Sequence, residues 1–145
     1  MGLFGDKPKR RLMKVVDIVI CELEPALIKA KDEFGEEKFE KILMNDLVLG
    51  WMTGFVRAIA KAKKAEGIVS ATVAVCGEVL GNEVGSQVAT RMEEIFAGGR
   101  GRVDLFEKIS KAGERVGEMY LSKHLGYTGY ELKGVMQMVV SARKL

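Results

Sequence analysis

Side chains able to do chemistry are few in this chain. His124 is the only histidine among 145 residues, and Cys21 and Cys76 are the only cysteines. One imidazole cannot build a zinc site of two or more histidines. The cysteines lie in separate apolar stretches, outside any CxxC or Cys/His cluster. A di-iron bundle needs Glu-x-x-His pairs, but the residue three before His124 is Leu121. No metal site is therefore expected. Each cysteine reads as a small buried hydrophobe, reduced in a cytoplasmic setting. His124 shares a helical phase with Gly113, Gly117 and Tyr120 near a helix end, where the dipole favours an imidazolium. It reads as a structural or capping residue. The alternative is a contact to a hydrophobic or haem-like ligand, in the space the two glycines leave open.

The carboxylates add no catalytic pattern. Glu36/Glu37 and Glu93/Glu94 are adjacent in sequence and so point to different sides of a helix, as solvated surface does. Glu78 stands in an apolar segment and is expected to need a basic partner. No nucleophile stands with a base, so no enzymatic activity is expected, and no catalytic residue or cofactor is assigned.

Basic residues offer a binding chemistry instead. Arg57, Lys61 and Lys64 recur at four-and-three spacing along one helical face. Gly98-Gly99-Arg100-Gly101-Arg102 is a basic loop before a helix start, without the Gly-Lys-Ser/Thr ending of a P-loop. With the arm Lys7, Lys9, Arg10 and Arg11, the residues Arg57, Lys61, Lys64, Arg100 and Arg102 are candidate contacts to a nucleic-acid backbone that read no bases. The net charge of +3 permits an anionic partner without demanding one.

Positioning these side chains falls to a chain that is 48% hydrophobic and 30% charged, the balance of one folded domain. No apolar run reaches 18 residues, so no membrane-spanning helix is expected. The N-terminus lacks the apolar core of a signal peptide, and Asp6 stands where a myristoylation motif wants Ser or Thr. Few amides beside abundant Lys and Glu suit a thermophilic protein. Residues 1–11 are expected as a flexible basic arm and 12–145 as a single helical domain. The apolar run Leu12–Leu23 fits a buried helix or a strand; helix is preferred because no set of partner strands is evident. Pro25 is expected to open a further helical segment that ends near Phe34-Gly35. Asp104–Glu107 and Thr128–Glu131 have the form of capping boxes, the first opening a helix that closes at Gly126. The last helix carries Leu132, Val135, Met136, Val139 and Val140 on one face.

Two stripes of small residues organise the middle of the chain. Residues 36–66 carry Gly50, Gly54 and Ala58 on one helical face, and residues 70–97 carry Gly77, Gly81 and Gly85. Glycine inside a helix costs roughly 0.5–1 kcal/mol relative to alanine, so a repeated stripe calls for close backbone packing. Folding the chain at Gly67 into an antiparallel hairpin sets Gly50 opposite Gly85, Gly54 opposite Gly81 and Ala58 opposite Gly77. The expected fold is all-α, a single-domain bundle of five or six helices built around that close-packed hairpin. Trp51, Phe55, Val75 and Val79 flank it as core or as interface anchors. Residues 68–81 are apolar nearly all round, which implies cover on every side, by other helices or by a second subunit. The function expected first is non-enzymatic association, as a homo-oligomer or a subunit of a larger assembly. Backbone-directed nucleic-acid binding and a ligand pocket near His124 are the alternatives.

Overall fold

The computed structural model describes residues 3–122 and 127–143. They form seven helices and no strand: α1 (Leu3–Phe34), α2 (Glu36–Leu43), α3 (Asp46–Ala62), α4 (Ile68–Leu80), α5 (Asn82–Ala97), α6 (Arg100–Leu121) and α7 (Tyr127–Arg143). The all-α expectation holds, with more helices than five or six, because both arms of the expected hairpin are broken.

α1 shows why a proline need not end a helix. Its buried stripe is Val15, Val19, Leu23, Leu27 and Ala30, so one face is held against the core on both sides of Pro25. That proline and Cys21, whose carbonyl loses its helical donor, are both exposed, and water can satisfy the freed oxygen. The ambiguous run 12–23 is thus helix, and no new segment opens at Pro25. The expected flexible arm is helical from Leu3, in continuity with α1.

Between α2 and α3 the chain turns by 68°. Asn45 caps α3 by accepting a 2.9 Å hydrogen bond from the Leu47 amide, which fixes a new helix start. Twelve of the 17 residues of α3 are buried, making it the central helix, and the Trp51 ring stacks on Phe55 at 5.8 Å. The expected continuous helix over 36–66 does not occur. Gly67 in the left-handed conformation precedes α4, and Gly81 (φ 105°, ψ 155°) separates α4 from α5. α6 begins at Arg100 behind Gly99, four residues before the expected cap at Asp104. α7 begins at Tyr127, one residue ahead of Thr128. The expected closure at Gly126 lies outside the described residues.

The close-packed pair is α3 with α6, not the expected hairpin. A Cβ on Gly54 would collide with the Ser110 carbonyl oxygen, and one on Gly113 with the Trp51 carbonyl oxygen. A Cβ on Gly117 would lie 2.6 Å from that of Ala58, and one on Gly50 would press on Ile109 at 3.0 Å. Partners such as Gly54 with Ser110 and Asp46 with Arg102 differ by 56 in number, and others by a few more or fewer. A near-constant difference means parallel helices. The sequence pattern paired α3 with its neighbour in the chain, whereas α4 and α5 form an excursion that returns the chain to start α6 beside the start of α3. Gly77 and Gly85 instead face each other across the bend, where a Cβ on Gly85 would come 2.9 Å from the Gly77 Cα. No atom lies within 4 Å of a Cβ built on Gly81, which serves as the corner.

No single described helix is long and apolar enough to cross a membrane. α2 and α3 pass that test only together, as the bent pair.

Candidate functional site

Arg57 and Lys61 of the basic stripe lie along the α3–α6 seam, where their charges are engaged. Arg57 donates 2.7 Å to the Ser110 hydroxyl and stands 3.1 Å from the Glu107 carboxylate. Lys61 donates 2.6 Å to Glu114. Arg102 forms a two-pronged pair with Asp46, at 2.8 and 3.0 Å. Hydrogen bonding to Asp46 raises the Arg102 pKa above its usual value, against some desolvation and with the charges of Asp46 and Glu94 assisting. Three of the five residues read as nucleic-acid contacts therefore pair two parallel helices. Four-and-three spacing identifies a face without saying whether an acidic helix covers it. Lys64 and Arg100 are exposed, on different corners of the molecule.

A second feature is open to solvent. Val69, Ser70 and Val73 from α4, with Ala89, Met92 and Phe96 from α5, line a groove of about 560 Å³. It runs on into a shallower depression of about 360 Å³ over Ala74, Gly77, Gly85 and Ser86. Small side chains leave the floor low because Gly77 and Gly85 bring the two helices together there. Val69 and Phe96 stand at one end with 38% and 41% of their surface exposed. Glu78 and Glu93 are the acidic residues along the rim. Glu78 is exposed, so the buried, paired carboxylate expected there is not found: the face of α4 that carries it has no covering helix.

The four residues expected as core or interface fall on the core side. Trp51, Phe55 and Val75 are buried within the single chain, and Val79 is partly buried. The groove residues were missed as a group. For Val69 and Val73 the signal was present in the apolar surround of residues 68–81, but they were not separated from the residues facing inward.

Other chemistry is limited. Cys76 is fully buried, which pushes its thiol up to about 12, whereas Cys21 is exposed, and both are free. Tyr120 is raised chiefly by burial, then by the charges of Glu22 and Cys21. Among the described residues no group of three or more His, Cys, Asp or Glu is placed to hold a metal ion. His124, and with it the expected haem-like contact, lies outside the described residues. A separate apolar cleft of about 450 Å³ lies between α1 and α7, lined by Pro25, Ala26, Ala30, Phe34 and Gly129, with Glu33 and Lys133 paired at its rim at 3.7 Å. Compared with known protein families, curated proteins and solved structures, the chain matches none.

Proposed function

We propose that this chain works by association through the outer face of the α4–α5 pair, with a second copy of itself as partner. The observation that carries this reading is the solvent-open apolar groove itself, edged at one end by Val69 and Phe96. Protruding apolar side chains and a low, small-residue floor on one patch are what a two-fold interface requires, since each copy must supply both knob and hole. Helices of 13 and 16 residues make a face about 20 Å long and 20 Å wide. Two such faces bury about 800 Å², below the range of stable specific complexes and in that of weak, transient ones, so the affinity expected is no tighter than micromolar. Glu78 and Glu93 bring like charges together across the contact, and added salt should tighten it by screening them.

Sedimentation velocity from about 1 to 100 μM, a range bracketing such an affinity, tests the proposal. The expected result is a concentration-dependent dimer, strengthened by salt and lost in Val69→Asp with helical content unchanged. A monomer throughout that range would overturn it.

A further inference from the structure

The N-terminal turns of α1 carry a second surface, remote in chemistry from the groove. The first core residue of α1 is Val15, while residues 7–11 are exposed. Residues 7–10 therefore extend past the body before the helix meets the α3–α4 corner. It meets that corner through Arg11, which donates 3.4 Å to the Lys64 carbonyl, and through Leu12, which packs beside Gly67. Its exposed residues 7–10 span about 6 Å of rod. Lys7, Arg10, Arg11 and Lys14 fall at i, i+3, i+4 and i+7, on one side of it. Lys9 projects from the opposite side. Lys63 and Lys64, both exposed, continue the cationic surface onto the corner.

These two segments hold seven cations against three carboxylates, Asp6, Asp17 and Glu66. Cations crowded at three-and-four spacing on one helix face repel one another. Unlike the seam cations Arg57, Lys61 and Arg102, they face no acidic helix. Such an arrangement is stabilised by an external polyanion.

We infer that this rod and corner form a site for the phosphate backbone of a nucleic-acid duplex. From Gly5 to Arg11 the sequence has no apolar side chain except Pro8, so residues 7–11 offer a partner cationic contact and not an inserted apolar face. A helix 10–12 Å across fits a major groove about 12 Å wide. Cations on both of its sides then meet the phosphates of both walls. No residue here is arranged to read bases, so binding is sequence-independent. The site differs from the set expected from sequence, retaining Lys64 and the arm and omitting Arg57, Lys61, Arg100 and Arg102.

Fluorescence anisotropy with a labelled 20-base-pair duplex tests this over a salt series. Neutralising five phosphates predicts that log K falls against log salt with a slope of about −4.5. The triple variant Lys7→Glu/Arg10→Glu/Lys14→Glu should weaken binding at 50 mM salt by about a hundredfold. Its helical content should be unchanged, since Glu has nearly the helix propensity of Lys and Arg. Arg100→Glu, at another corner, should change affinity by no more than about twofold. No binding by the native chain at 50 mM salt would overturn the proposal. So would unchanged binding by the triple variant, a larger loss in Arg100→Glu, or binding confined to phosphatidylserine vesicles. Salt weakens this interaction and strengthens the proposed dimer, so failure of one is distinguishable from failure of the other.

Discussion

Glycines in this chain do three separate jobs, and single alanine substitutions separate them. At Gly54 and Gly113 the backbone is ordinary helix, and the missing Cβ makes room for a carbonyl oxygen of the neighbouring helix. The hydrogen in its place faces that oxygen, as in weak C–H···O contacts between helices. Gly54→Ala must push α3 and α6 apart and should destabilise by about 3 kcal/mol. At Gly81 nothing stands within 4 Å, but φ is 105°, a conformation nearly confined to glycine, so Gly81→Ala should cost about 1–3 kcal/mol through the backbone alone. Gly134 lies in α7 with open space around it, and Gly134→Ala should stabilise by about 0.5–1 kcal/mol. Urea unfolding of the three variants checks the order, and equal effects at positions 54 and 134 would contradict the packing argument. Cys76 offers a further check at this scale. Burial raises its folded pKa to about 12, so the folded state keeps the proton after the unfolded thiol has lost it. The stability it contributes is complete below about pH 8.5 and declines above that, by about 1.4 kcal/mol per pH unit until the folded thiol ionises. Cys76→Ala should remove this part of the alkaline slope, measured against the native chain. A thiol reagent should label Cys21 in the folded protein and Cys76 only on unfolding.

At the scale of helices, the α3–α6 seam joins close backbone contact to a ladder of three ion pairs, with unequal geometry. Arg102–Asp46 is two-pronged and about one-third exposed on each side; Arg57–Glu107 is anchored by a further bond to Ser110; Lys61 is 67% exposed. Coupling energies from double-mutant cycles should therefore be larger for the two arginine pairs than for Lys61–Glu114. Strong coupling of the lysine pair, with none at Asp46, would reverse the assignment. Helical character was legible in sequence because apolar spacing and caps are local. The end of α1 near Gly35 and the start of α7 near Thr128 came from the same signals. Pairing was not. The stripe at Gly50, Gly54 and Ala58 shows which face of α3 approaches another backbone, but small residues at regular spacing match any other such stripe. A hairpin rule chooses the neighbour in the chain, and the true partner around Gly113 and Gly117 lies some 60 positions away, beyond the two corners that break the expected arms. The groove was obscured for a related reason: an apolar helix reads alike whether its last face is covered by its own fold or left open.

Over the whole molecule, placing two parallel helices at the centre determines which parts can open alone. α3 touches α1, α2, α4, α6 and α7, so removing any one outer helix leaves its backbone still enclosed. α5 packs chiefly on α4 and α6, and the first turns of α1 reach past the core altogether. Opening free energies should be graded accordingly. Amides of residues 48–60 should exchange only through global unfolding, at the free energy that denaturant titration gives. Amides of α5 should exchange through a smaller opening about the Gly81 corner, and those of residues 7–11 by fraying. Hydrogen exchange at several low denaturant concentrations resolves these classes, because sub-global openings depend less steeply on denaturant than global unfolding. Ligands then test the surfaces separately: duplex DNA should slow exchange in residues 7–14, and raising the protein concentration should slow it in α4 and α5. Should residues 48–60 exchange as readily as α5, the placement of α3 at the centre would be refuted.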